Sequence, residues 1–159
     1  MAYSKKRIIV CGIGNLLLRD EGVGIHVINE LQKLSLPKNV EVRDCATRGM
    51  DALDELEGTD KAIIVDAVKL GDKPGTVYRF TLDELERDDR TLRMMSFHDL
   101  DLLTAIKIGR STYDLPEDVV IIGIEPEHAN EYSMELTPEV AKAVPKAVQA
   151  VLSEIKKSE

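Results

Sequence analysis

Short apolar runs bounded by turn residues alternate with amphipathic segments along almost the whole chain. The apolar runs predict five β-strands, at residues 7–12, 40–45, 62–67, 76–81 and 119–124. The segments whose apolar residues recur at helical spacing predict four helices, at residues 22–33, 50–56, 99–108 and 138–156. Strands that alternate with helices in this way favour a mostly parallel sheet with helices on both faces.

The first and last predicted helices carry the clearest patterns. In the first, Val23, Val27, Ile28 and Leu31 lie on one face, which predicts that this face is buried. In the last, Thr137 is expected to be the N-cap, with Pro138 at the first helical position. Pro145 lies inside this helix and is expected to kink it, because proline removes one backbone hydrogen bond.

One predicted strand differs from the others. Residues 76–81 alternate between apolar and polar side chains and follow a Lys-Pro-Gly turn, which is typical of an antiparallel strand at a sheet edge. The predicted fold is therefore a three-layer α/β/α sandwich with a mostly parallel, twisted sheet of about five strands. No repeat, linker or low-complexity segment interrupts it, so residues 1–159 are predicted to form a single domain.

Composition narrows the class of protein. A hydrophobic content of 43% and a charged content of 31% fit a soluble globular protein. No apolar run approaches the roughly 20 residues of a membrane helix, and the basic N-terminus makes a poor signal peptide, so we expect a cytoplasmic protein without a membrane partner. A net charge of −8 argues against nucleic acid as a partner. Cys11 and Cys45 are expected to be reduced, buried thiols on adjacent strands.

The most informative segment is residues 12–24, where a glycine-rich turn leaves the first strand and delivers Asp20 and Glu21 to the start of a helix. Ligands bind at the carboxyl ends of strands in open parallel sheets, and Asp66 and His98 are also predicted at that edge. Two carboxylates and one imidazole suit zinc, nickel or manganese and leave coordination positions open. Glu21, Asp66 and His98 are therefore a candidate metal site.

Ordinary structural roles compete with this interpretation. Asp66 could simply cap the loop after its strand, and His98 could be a surface residue or a helix cap. His26 lies within the first predicted helix and is expected to face solvent. His128 follows an acidic turn and is a weak alternative ligand.

Other kinds of site have less support. The segment beginning with Gly12 and Gly14 resembles a dinucleotide-binding turn, but Leu17 replaces the third glycine. No Gly-Lys-Ser/Thr sequence follows, as a phosphate-binding loop would require. Ser96 has no Gly-x-Ser-x-Gly context, and Cys45 has no histidine nearby in sequence, so a nucleophilic triad is not indicated.

The motifs resemble a known family, the hydrogenase maturation proteases, which trim the large subunit of nickel-iron hydrogenases. The matching segments, in order, are residues 12–24 (GIGNLLLRDEGVG), 65–67 (VDA), 75–78 (GTVY), 96–98 (SFH), 123–126 (GIEP) and 136–140 (LTPEV). They span nearly the entire chain. One departure follows the second strand, where the family often has Asp-Gly-Gly-Thr and this chain has Asp44-Cys45-Ala46-Thr47. The departure leaves the role of Cys45 open.

The resemblance implies an α/β/α fold and a site formed by Glu21, Asp66 and His98, both as catalytic residues and as ligands of the nickel that the substrate carries. Zinc or another divalent ion is an alternative occupant. Asn15, Asp20 and Thr47 are expected to contact the substrate. The implied partner is the large-subunit precursor of a nickel-iron hydrogenase, from which a monomeric enzyme would remove a short C-terminal extension.

The chemistry of cleavage is left open by the sequence. Bound metal could polarise the scissile carbonyl and activate water, or Asp66 or Glu21 could act as the general base while the metal serves recognition alone. Two other functions remain as alternatives. One is a nickel-sensing or chaperone-like protein that docks on the precursor without cutting it, and the other is a nucleotide-binding module.

Overall fold

A computed structural model describes residues 5–46, 52–88 and 97–158, with the backbone alone for Ala46 and residues 97–101. Its five strands are β1 (Ile8–Ile13), β2 (Val40–Ala46), β3 (Lys61–Ala67), β4 (Val77–Thr81) and β5 (Asp118–Ile124). They form one sheet in the order β2-β1-β3-β5-β4. Every pairing is parallel except that of β4 with β5, which is antiparallel. The predicted sheet and its antiparallel edge strand are both confirmed.

The helices are α1 (Val23–Gln32), α2 (Ala52–Leu56), α3 (Leu82–Arg87), α4 (Phe97–Gly109) and α5 (Pro138–Lys157), with a 3-10 helix at Arg19–Gly22. The short α3 was not predicted. It begins with a capping box, in which the Glu84 N–H donates to Thr81 Oγ1 at 3.1 Å and the Glu84 carboxylate accepts from the Thr81 N–H at 3.4 Å. The Thr-x-x-Glu spacing is a sequence signal for such a helix start.

The two faces of the sheet are covered by different helices. α1 and α5 pack on the face that carries Ile8 and Val10, whereas α2, α3 and α4 pack on the face that carries Ile9 and Cys11. Successive side chains of a strand point to opposite faces, so strands buried on both sides need continuous apolar runs. This requirement explains why β1, β3 and β5 read as unbroken stretches of apolar residues in the sequence.

The predicted apolar face of α1 is buried as expected: Val23, Val27, Ile28 and Leu31 are all inaccessible to solvent. The expectation that His26 faces solvent is wrong. Its ring is half-buried against a groove lined by α1 and α5, and its Nε2 atom is buried. The reason is that α5 packs alongside α1, which only the tertiary structure decides.

The two thiols lie where they were expected. Cys11 on β1 and Cys45 on the neighbouring strand β2 are buried and reduced. A hydrogen bond with Cys45, together with burial, raises the pKa of the Cys11 thiol well above its ordinary value. A thiol held in its protonated form is a poor nucleophile. Cys11 is therefore a core residue of this sheet.

The helix α5 runs without a break through Pro145 to Lys157.

None of the helices described within residues 5–46, 52–88 and 97–158 is long and apolar enough to cross a bilayer.

A buried ionic cluster joins α5 to the sheet at the end opposite the carboxyl ends of the strands. Lys61, the first residue of β3, donates to Glu154 Oε2 at 3.0 Å, and both side chains are nearly inaccessible, at 5% and 2% exposure. Arg79 also donates to Glu154. Burial alone would raise the pKa of Glu154, but the hydrogen bonds from Arg79 and Lys61 lower it from 4.5 to about 2.

This cluster makes the stability of the fold sensitive to acid. Because the pKa of Glu154 is lower in the folded state, its contribution is complete above about pH 4.5 and is lost as the pH falls towards 2. Replacing Glu154 with Gln should lower the free energy of unfolding by about 3 kcal/mol at neutral pH, since it removes one charge from a buried pair. Thermal unfolding across this pH range measures the difference between the two proteins. A difference that stays constant down to the acid limit would contradict the assignment.

Candidate functional site at the carboxyl ends of β1 and β3

The strand order reverses direction between β1 and β3. After β1 the chain crosses to β2 on one side, whereas β3 lies on the other side of β1. The crossover from β1 to β2 runs through α1 on one face of the sheet, and the crossover from β2 to β3 runs through α2 on the opposite face. Such a switch point leaves a crevice outside the carboxyl ends of the strands, which is the usual place for a ligand in an open α/β sheet.

Two glycines allow the segment after β1 to lie tightly in this crevice. Gly14 has φ 144°, and a Cβ atom there would be 2.2 Å from the carbonyl oxygen of Glu21. At Gly24 a Cβ atom would be 2.4 Å from the carbonyl oxygen of Val65 and 2.5 Å from that of Ile13. A side chain at either position would therefore displace backbone. The glycines of the motif permit close packing between the turn, α1 and two strands.

This packing brings two of the predicted site residues to the same edge of the sheet. The 3-10 helix that carries Glu21 contacts β3, and Gly24 lies against Val65, the residue before Asp66. Glu21 is partly exposed, whereas the Asp66 side chain is largely buried, at 6% exposure. One oxygen of Asp66 accepts the N–H of Ala67 at 2.8 Å. The two carboxylates thus belong to neighbouring segments at this edge of the sheet, and Asp66 also supports the loop after its strand.

The other predicted residues are described less completely. His98 is the second residue of α4, and its side chain is among those that the structure does not describe. Thr47 lies outside the described residues. Among the side chains that are described, no three His, Cys, Asp or Glu residues are grouped as metal ligands. The predicted trio of Glu21, Asp66 and His98 remains a prediction.

Asp20 occupies a different position from its neighbour Glu21, because its side chain is completely buried. Its Oδ2 atom accepts from the backbone N–H groups of Glu127 and His128, each at 2.9 Å, and from Thr137 Oγ1 at 2.7 Å. Its Oδ1 atom accepts from the Thr137 N–H at 2.8 Å. The carboxylate therefore joins the 3-10 helix to the loop after β5 and to the start of α5.

These hydrogen bonds also favour the ionised form of Asp20. Burial alone would raise its pKa, but the hydrogen bonds from His128, Thr137 and Glu127 outweigh burial and lower the pKa. Thr137 is the N-cap of α5, as predicted from the sequence, yet its hydroxyl makes no capping hydrogen bond and donates to Asp20 instead. An ionised carboxylate at this helix N-terminus is also stabilised by the helix dipole.

Asn15 supports the turn from within. Its side-chain oxygen accepts the N–H of Leu17 at 2.9 Å, and its backbone carbonyl accepts the N–H of Leu18 at 3.1 Å. Such an Asx turn stabilises a tight loop locally. The amide NH₂ group of Asn15 is the group that could donate to a substrate.

A second buried carboxylate fixes the loop on the β3 side of the crevice. Glu125, at 2% exposure, accepts from the N–H groups of Leu70 and Asp72 at 2.8 Å and 3.2 Å. The Tyr78 hydroxyl lies 2.6 Å from Glu125 Oε1 and 2.9 Å from Asp72 Oδ2. Burial and these two carboxylates raise the pKa of Tyr78, so its hydroxyl keeps its proton. The sequence analysis includes Glu125 in the motif at residues 123–126 but does not indicate that this residue holds the loop after Asp66.

A family model described as hydrogenase maturation protease matches residues 25–154 of the chain. The chain belongs to the hydrogenase maturation protease family. It is therefore a peptidase, and the resemblance inferred from the motifs is confirmed. The matched region contains Asp66 and His98, whereas Glu21 lies just before it.

Relatives and solved structures agree with this assignment to the hydrogenase maturation proteases. A protein of Methanocaldococcus jannaschii provisionally named a hydrogenase maturation protease is 38% identical over 162 aligned residues, covering 96% of this chain and 99% of the relative. The hydrogenase 2 maturation protease of Escherichia coli is 33% identical, with coverage of 96% and 92%. The solved structure of the Escherichia coli hydrogenase-maturating endopeptidase HybD superposes with a TM-score of 0.82 at 31% identity, with coverage of 96% and 93%.

Proposed function

We propose that this chain removes a short C-terminal extension from the nickel-loaded precursor of a nickel-iron hydrogenase large subunit. One observation carries the proposal: the 3-10 helix that carries Glu21 contacts β3, the strand that carries Asp66, at the switch point of the sheet. The chain also belongs to a family of proteases. The substrate, its nickel and the site residues are part of the proposal. The enzyme is taken to be cytoplasmic and monomeric.

The donor set fits the proposed nickel-bearing substrate. Carboxylate oxygens and an imidazole nitrogen are ligands that a divalent first-row metal accepts. Glu21 is partly exposed and can reach a substrate, whereas Asp66 is held by its strand and by its hydrogen bond to Ala67. In this proposal Glu21, Asp66 and His98 bind the nickel that the precursor carries. Zinc is a usable substitute in experiments on the free enzyme.

Cleavage requires a water molecule to attack the scissile carbonyl and a group to take its proton. A carboxylate of Glu21 or Asp66 is the candidate base, and the substrate's nickel could instead lower the pKa of the attacking water. Backbone N–H groups of the glycine turn, and the amide of Asn15, are candidates to stabilise the developing oxyanion. The turn is held rigid by the Asn15 hydrogen bonds described above, as such a role requires.

The direct test is the intact mass of a large-subunit precursor incubated with this protein, with and without nickel loaded. We expect loss of a short C-terminal peptide from the nickel-loaded form alone. A stable complex without any change in mass would support the docking protein instead. Equally fast cleavage without nickel would show that nickel is not needed for recognition. The assignment of the chain as the processing protease would stand.

A further inference from the structure

Asp20 differs from its neighbour Glu21 because its buried side chain has no surface that a substrate could contact. Its side chain is 0% exposed, and its two oxygens accept hydrogen bonds from four donors. All four donors lie more than a hundred residues away in sequence, between Glu127 and Thr137. Asp20 therefore acts as a cross-link between two distant segments, whereas its neighbour Glu21 is partly exposed.

The backbone around Asp20 is held equally firmly. Asp20 N–H donates to the His128 carbonyl at 3.1 Å, and Arg19 N–H donates to the Ser133 carbonyl at 2.9 Å. Arg19 has φ 48°, in the left-handed region that few non-glycine residues adopt. Such a strained conformation persists only where the surroundings impose it. The hydrogen bonds of Arg19 and Asp20 hold this conformation in place, two residues before Glu21.

We propose that Asp20 is a positioning residue that sets the placement of Glu21 by tying the 3-10 helix to the segment between Glu127 and Thr137. This inference rests on the proposed function, because it assigns Asp20 a role in the same cleavage. It replaces the expectation that Asp20 contacts the substrate. A carboxylate that orients a neighbouring reactive group typically contributes about 10- to 100-fold to activity.

Asparagine is the informative replacement because it preserves the shape of the side chain. In whichever orientation it binds, its NH₂ group faces a donor. It meets the Thr137 N–H if it takes the place of Oδ1, or the Glu127 and His128 N–H groups if it takes the place of Oδ2. At least one hydrogen bond is therefore replaced by a contact between donors. The 3-10 helix must shift to relieve it, and Glu21 moves with it.

The experiment compares kcat and KM of wild type, Asp20→Asn, Glu21→Gln and Glu154→Gln on a nickel-loaded precursor, at a temperature where all four are folded. We expect Asp20→Asn to lose about 10- to 100-fold in kcat/KM, with the loss falling on the same constant, kcat or KM, as in Glu21→Gln. Glu154→Gln is the matched control, since it also disturbs a buried, hydrogen-bonded carboxylate but lies at the opposite end of β3. It should retain the wild-type kcat/KM.

Several results would overturn the inference. These are a wild-type kcat/KM in folded Asp20→Asn, a loss that falls on a different constant from the loss in Glu21→Gln, or an equal loss of kcat/KM in Glu154→Gln. If Asp20→Asn does not fold, Thr137→Val takes its place, because it removes the hydroxyl donor to Oδ2 and keeps the backbone donor to Oδ1. A several-fold fall in its kcat/KM supports the inference, and an unchanged kcat/KM rejects it. If wild type itself does not cleave, the proposed function fails instead.

Discussion

Replacing Glu21 with Gln is expected to leave the protein folded and to abolish processing of the nickel-loaded precursor. Glutamine matches glutamate in shape, and the backbone N–H of Glu21 keeps its 3.0 Å hydrogen bond to the Leu18 carbonyl. The substitution removes only the charge, so it removes a metal ligand or a general base. A loss of about 10²- to 10⁴-fold in kcat/KM is the expected size of such an effect. The intact mass of the precursor over time measures it.

The division of that loss between kcat and KM tells the two roles of Glu21 apart. A general base acts on the chemical step and lowers kcat, whereas a ligand used for recognition raises KM. Glu127→Gln is the matched control, because this side chain is exposed and Glu127 contacts Asp20 through its backbone N–H. It removes the same charge from the neighbouring loop and should process precursor normally. Normal processing by Glu21→Gln would show that Glu21 is neither a metal ligand nor the general base.

Replacing Asp66 with Asn is expected to cause a loss of similar size while changing thermal stability little. The Asp66 oxygen that accepts the Ala67 N–H at 2.8 Å can be replaced by the carbonyl oxygen of asparagine. The hydrogen bond that supports the loop after β3 can therefore survive the loss of the negative charge. Precursor processing and the melting temperature should be measured on the same preparation.

Asp66→Ala completes the comparison, because alanine removes the hydrogen bond as well as the charge. Losing that hydrogen bond costs about 1 kcal/mol or more, which corresponds to a fall of roughly 2–4 °C in the melting temperature of a domain of this size. We expect Asp66→Asn to be stable and inactive, and Asp66→Ala to be less stable and inactive. An active Asp66→Asn would show that Asp66 is only a cap for its loop.

The layers of the fold could be predicted because they depend on local patterns. β1, β3 and β5 are buried on both faces and so read as continuous apolar runs, and β4 alternates because it lies at an edge. The short helix α3 was missed, since its six residues carry little periodicity and only the capping box at Thr81 marks its start. His26 was misplaced because packing of α5 alongside α1 is a long-range contact that no local pattern contains.

The sequence by itself determined the family, the order of strands and helices along the chain, and the candidate residues Glu21 and Asp66. Motifs and hydrophobic periods are local, and these properties follow from them. Only the tertiary structure decided that Asp20 and Glu21, which are neighbours in the chain, have different surroundings. Asp20 turns into the protein and accepts four hydrogen bonds from residues 127–137, while Glu21 is partly exposed on a 3-10 helix that contacts β3. Two adjacent carboxylates look alike in a sequence, because what separates them is which distant backbone donors the fold brings to each.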